Sequence, residues 1–106
     1  MNILLDECVP RPLRRSLIGH AVRTVPEMGW ASVKNGELIR FAETQFDVMI
    51  TVDKSIKYQQ KLDSTKIGFI VLKALSNRLE DLEPLVPDIL ISLNTIQAGD
   101  VVTITA

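Results

Sequence analysis

Four carboxylates are the residues of this chain best suited to chemistry. Asp6 and Glu7 end the apolar run Ile3-Leu4-Leu5, Asp53 ends the run Val48-Met49-Ile50-Thr51-Val52, and Glu37 lies between them in the sequence. Were Asp6, Glu37 and Asp53 to converge, two ionised carboxylates about 4 Å apart would repel by roughly 4 kcal/mol at an effective dielectric of about 20, and a third would add more. Such a cluster must take up a proton or bind a cation. All-oxygen ligands suit Mg2+ or Mn2+, hard ions that keep several waters and bridge to phosphate oxygens. A site of that kind promotes phosphodiester hydrolysis by orienting a water, lowering its pKa and neutralising charge on the leaving oxygen. The chain has no Walker-type phosphate loop, no G-x-G-x-x-G and no nucleophile elbow. Plainer uses exist for two of the acids. Glu37 in the first turn of a helix is favoured by the helix dipole, and Asp53 can cap the short helical segment Lys54-Ser55-Ile56-Lys57-Tyr58.

The elements that must position these acids are read from hydrophobic pattern. Continuous apolar runs are the mark of strands buried on both faces, so Asp6, Glu7 and Asp53 are expected where two such strands leave a sheet. In open α/β sheets that edge binds ligands. After Glu7, Val9-Pro10-Arg11-Pro12 leads into a predicted helix with Leu13 and Leu17 inward and Gly19 as its stop. Arg11, Arg14 and Arg15 lie opposite the leucines, either as a solvated helix surface or as a phosphate-contacting patch close to the first acids. Ala21 to Val25 is a predicted strand, and the loop after it carries Trp30, which either packs the loop onto the domain or stacks on a base. Asn35 is the predicted N-cap of a helix that buries Leu38, Phe41, Ala42 and Phe46. Gly68 to Leu72 reads as a third apolar strand and Val101 to Ile104 as a last one. Between them, apolar residues from Leu79 to Leu93 recur at three and four, a helical stripe that Pro84 and Pro87 interrupt. The alternation of strand and helix predicts the α/β class, a mostly parallel sheet of about five strands with helices on both faces.

A chain of 106 residues is of single-domain length, and residues 1–106 are read as one domain. A hydrophobic share of 46% with 24% charged residues argues against disorder. The one cysteine, Cys8, cannot form an internal disulfide, so a reducing cytoplasm is the expected compartment. No apolar stretch approaches the roughly 18 residues of a membrane span, and the amino terminus lacks the basic-then-apolar layout expected of a signal peptide. The net charge of -1 conceals a division: all twelve Lys and Arg lie at or before Arg78 with eight of the thirteen acids, while five acids follow. That asymmetry permits a polyanion partner on the amino-terminal side without making the chain a strongly basic binder. The sole histidine, His20, falls at a turn with no nucleophile beside it and is a poor catalytic candidate.

The runs Ile3-Leu4-Leu5-Asp6-Glu7, Asn35-Gly36-Glu37-Leu38-Ile39 with Ala42, Ile50-Thr51-Val52-Asp53-Lys54 and Phe69-Ile70-Val71-Leu72 resemble, in order and spacing, a compact bacterial PIN-like domain family. The family is related to the VapC-type PIN ribonucleases. The resemblance implies a three-layer α/β/α PIN-like domain and a Mg2+- or Mn2+-dependent endoribonuclease. It implies Asp6 and Asp53 as metal ligands with Glu7 or Glu37 supplementing them; beside it, the residues themselves offer Asp6, Glu37 and Asp53 as the candidate catalytic acids and Arg11, Arg14, Arg15 and Lys54 as the candidate contacts to nucleic acid. A role as the toxin of a toxin–antitoxin pair, beside a small DNA-binding antitoxin-like protein, is a further implication, as is a homodimer. Three departures stand out: Cys8 where relatives often have Asn, Asn35 where Asp is common, and Ser55 where a second acid often follows the strand Asp. Fewer charges mean weaker metal binding, and Cys8 is either a soft ligand or a small buried hydrophobe. The missing acids support a competing reading, a catalytically silent PIN-like module that binds a partner protein. A phospho-receiver is disfavoured, because Lys73 follows Leu72 with no hydroxyl residue before it.

Overall fold

Both faces of the apolar runs find cover, and the runs become strands. In the computed structural model, which describes residues 1–56 and 61–106, β1 spans Asn2–Leu5, β2 Ala21–Thr24, β3 Val48–Thr51, β4 Gly68–Lys73 and β5 Val101–Thr105. Every neighbouring pair is parallel, in the order β2-β1-β3-β4-β5, so the sheet is parallel throughout.

Side chains alternate across it as strand geometry demands. Ile3, Leu5, Val48, Ile50, Ile70 and Leu72 meet one core, closed by Leu13, Leu17, Leu82, Ile89 and Leu93. Leu4, Met49, Phe69 and Val71 meet the other, closed by Leu38, Ile39, Ala42 and Phe46. The first face lies under a 3-10 helix, Arg11–Ser16, and two α-helices, α2 (Leu79–Leu82) and α3 (Val86–Leu93); the second lies under α1 (Asn35–Ala42). Three layers, α/β/α, result.

Several local expectations are corrected. The helix after Pro10 is a 3-10 helix, with Leu13 N–H bonded to Pro10 O at 3.0 Å and Leu17 N–H to Arg14 O at 3.2 Å, and it ends before Gly19. The long carboxy-terminal stripe, by contrast, is broken where its prolines predict, into two helices joined by a 3-10 turn, Glu83–Leu85. Pro84 and Pro87 each fall in the first turn of a piece, because proline starts a helix far more easily than it continues one. Asn35 is inside α1, whose N-cap position belongs to Lys34 and has no side-chain cap. Phe41 is 41% exposed, not buried. Asp53 does serve the turn after it, accepting Ser55 N–H, while Lys57 and Tyr58 of the expected segment lie outside the described residues.

The chain leaves β1 for β2 on one side and then crosses to β3 on the other. Strand order therefore reverses between β1 and β3, and a crevice beyond their carboxyl ends is the expected ligand position in such sheets. The opposite end is closed by tight turns. A Cβ on Gly68 would lie 2.7 Å from the Ile96 side chain, and one on Gly99, at φ +85°, 2.6 Å from Asp63 O.

Candidate active site

At the ends of β1 and β3 one hydroxyl links the Asp6 carboxylate to the backbone of Asp53. The Asp6 N–H continues the ladder by donating to Ile50 O at 2.9 Å, which sets Asp6 beside Thr51, the last residue of β3. Thr51 Oγ1 donates to Asp6 Oδ2 at 2.7 Å and accepts the Asp53 N–H at 3.0 Å. The other oxygen of Asp6 accepts the Glu7 N–H at 2.9 Å. Asp6 is only 7% exposed and Thr51 is fully buried, and a carboxylate so placed needs these donors.

Asp53 sits half-buried two residues further on. Its Oδ1 accepts both the hydroxyl of Ser55 at 2.6 Å and the Ser55 N–H at 3.0 Å. The Ser55 hydroxyl above all holds the carboxyl of Asp53 below the usual carboxylate range; the Ser55 N–H and the Asn35 side chain add to this against partial desolvation. Asn35 thus faces Asp53 from the start of α1. The two positions at which the resemblance led one to expect acids, 35 and 55, instead present polar donors to Asp53.

Glu7 and Glu37 face elsewhere. Glu7 is exposed on a cleft of about 240 Å³ with Arg11, Thr24 and Glu27. Glu37, exposed on α1, lines a separate cleft of about 540 Å³ with Arg40, Glu43 and Lys61. Among the described residues, no group of three or more His, Cys, Asp or Glu is gathered so that it could hold a metal ion. The mutual repulsion anticipated for Asp6, Glu37 and Asp53 is accordingly not the condition of Asp53, which is surrounded by donors.

Of the basic residues, Arg14 is engaged by Glu27 at 2.7 Å. That guanidinium, with the Thr24 N–H, holds Glu27 down at about 2. Arg11, Arg15 and Lys54 are exposed, and His20 lies at the far, amino-terminal edge of the sheet beside the Met1 nitrogen. Cys8 Sγ lies 3.7 Å from both Asp6 Oδ2 and Thr51 Oγ1. Burial, with the Asp6 charge also acting, pushes its thiol up and favours the protonated form. The Asn77 amide donates to Cys8 O at 3.0 Å, pinning the segment after β4 against the loop after β1.

Thr51 was not among the sequence candidates, because a threonine inside an apolar run is ordinary strand material. Its available signal is the T-x-D spacing: residues two apart leave a strand on the same side. Ser55 was identified only as a missing acid and Asn35 as a missing acid and a cap, whereas the two hydrogen bonds of Ser55 give it a part in fixing Asp53.

A family model described as a PIN like domain matches residues 1–74, the part of the chain that carries β1 to β4, Asp6 and Asp53. Comparison with curated proteins and with solved structures returns no match.

Proposed function

The chain belongs to the PIN-like domain family, and from that premise we propose that it is a metal-dependent ribonuclease of PIN type, with Asp6 and Asp53 as the acids that serve phosphodiester hydrolysis. The observation that carries this reading is the Asp6–Thr51–Asp53 chain at the point where strand order reverses.

The donor set bears on the metal. Two carboxylates suit a hard ion such as Mg2+ or Mn2+, which needs only one or two protein carboxylates when substrate phosphates complete its shell. Among the described residues they do not make a site that holds an ion wholly by protein. When bound, such a cation supplies charge neutralisation and a water of lowered pKa. The residues of the chain do the rest. Thr51 and the Glu7 N–H fix the plane of the Asp6 carboxylate, and Ser55 fixes the Asp53 carboxylate. Arg11, Arg15 and Lys54 are exposed and free of the Glu27 pairing that occupies Arg14, so they are the basic residues suited to substrate phosphates.

Cleavage of a single-stranded RNA by the purified chain, with Mn2+ and then with EDTA, tests this. Activity that needs the ion and falls on the order of 100-fold or more in Asp53→Asn is expected. Equal rates for the two proteins, at equal melting temperature, would reject it.

A second reading has its own support. Ser55 already occupies Asp53 Oδ1 twice, which favours a catalytically silent module acting through a partner such as a small DNA-binding antitoxin-like protein. Leu75, 97% exposed, and Ile91, 65% exposed, lie in the carboxy-terminal part of the chain and offer apolar contacts to such a partner or to a second copy. A chain inert with every divalent ion, whose Leu75→Ser variant loses a stable complex, would favour this alternative. The role of toxin belongs with the first reading and is expected to show as growth arrest that Asp53→Asn relieves.

A further inference from the structure

Phe41 is the exposed member of an otherwise apolar helix face. Leu38, Ile39 and Ala42 around it are buried, while the Phe41 ring lies at the surface, its centroid 5.6 Å from that of Trp30 at an interplanar angle of 43°. Trp30 is braced from below by the buried Phe46, edge-on with centroids 6.1 Å apart. The two outer rings, with Arg40, Thr44 and Gln45, line a cleft of about 170 Å³. Burial of the core does not call for an aromatic ring at this exposed helix position.

We infer that this cleft is a stacking subsite for one base of a single-stranded RNA, an inference that rests on the ribonuclease reading. Aromatic faces accept any base by stacking. The exposed Arg40 guanidinium offers a cation to the adjoining phosphate, and the Gln45 amide offers a donor and an acceptor to a base edge. Position agrees with chemistry. α1 begins at Asn35, which faces Asp53, and from there to Phe41 the helix rises six steps of about 1.5 Å, roughly 9 Å. That rise is a lower bound on the separation, because positions 35 and 41 leave the helix on different sides, so the base in the cleft belongs to a nucleotide further along the strand than the one whose phosphate meets Asp6 and Asp53. The occupant is a flexible single strand, because a paired base has no free face for the rings.

Trp30 is the only tryptophan in the chain and reports on its own cleft. The test is a fluorescence titration of the full chain with a short oligoadenylate in EDTA, so that binding is read apart from cleavage. Quenching of Trp30 is expected. Phe41→Ala is expected to weaken binding roughly 5- to 150-fold, Phe41→Tyr to keep both binding and melting temperature, and Arg40→Gln to flatten the salt dependence. Binding without quenching and with equal affinity in Phe41→Ala overturns the subsite and leaves the ribonuclease reading standing. Quenching that depends on Phe41, with no cleavage under any divalent ion, upholds the subsite while the ribonuclease reading fails. No binding of the oligonucleotide overturns the subsite and leaves the ribonuclease reading to the Mn2+ cleavage test, and a change in sedimentation of Phe41→Ala without a change in RNA affinity assigns the cleft to a protein contact and overturns the subsite.

Discussion

The two ends of the sheet are built on opposite terms. At the amino end, backbone and side chains close up until no atom can be added: Gly68 lies under Ile96, and Gly99 lies against Asp63 O with its N–H donating to Ile67 O at 2.9 Å. At the carboxyl end the same strands finish in groups that want water or partners, and the structure satisfies them with hydrogen bonds: Thr51 to Asp6, Ser55 to Asp53 and the Asn77 amide to Cys8 O. The contrast teaches where stability and chemistry reside. Filling the amino end should cost folding free energy and nothing else, whereas removing a donor at the carboxyl end should change the behaviour of the acids.

The largest stability change is expected from Gly99→Ala, which meets both a left-handed φ and a backbone oxygen. A loss of roughly 2–4 kcal/mol, measured by urea denaturation, should leave RNA cleavage by the folded fraction unaltered. Thr51→Val should cost less, about 1–3 kcal/mol, because it removes a donor from a buried carboxylate while keeping the side-chain shape. Unlike the glycine change it should also lower activity, since Asp6 loses its link to β3. Ser55→Ala should cost about 0.5–1.5 kcal/mol or less, the site being half open to water. Its clearer mark is a rise of the Asp53 carboxyl toward its ordinary range, read by NMR titration.

The smallest effect is expected at the Arg14–Glu27 pair, which is open to solvent and screened by salt. Glu27 titrates lower in the folded chain, at about 2, than its ordinary value of 4.5. Its contribution is therefore complete above pH 4.5 and is lost as pH falls from there toward 2. An Arg14→Gln variant should show a shallower loss of stability in that window, and high salt should make the two proteins alike.

Much of the fold could be read from pattern alone because β1, β3 and β4 are covered on both faces, leaving uninterrupted apolar runs with acids at their ends. The placement of Asp6 and Asp53 at one rim followed from parallel strands, and so it was legible. The role of Thr51 was not, because it depends on register: only when β1 lies beside β3 with Leu5 opposite Ile50 does the hydroxyl reach Asp6. Asn35 reads as a cap, yet the helix starts one residue earlier than the asparagine suggests, which turns its side chain to Asp53. Phe41 fits the apolar period of α1, but period alone cannot say how wide a stripe the sheet will cover.

The pairing of Asp6 with Asp53 is tested most directly by electron paramagnetic resonance of Mn2+ titrated into the full chain with a single-stranded oligoribonucleotide present. Capture of the ion by the wild-type protein, lost in both Asp6→Asn and Asp53→Asn and kept in Glu37→Gln, is the expected result. Capture that survives in both aspartate variants would contradict it.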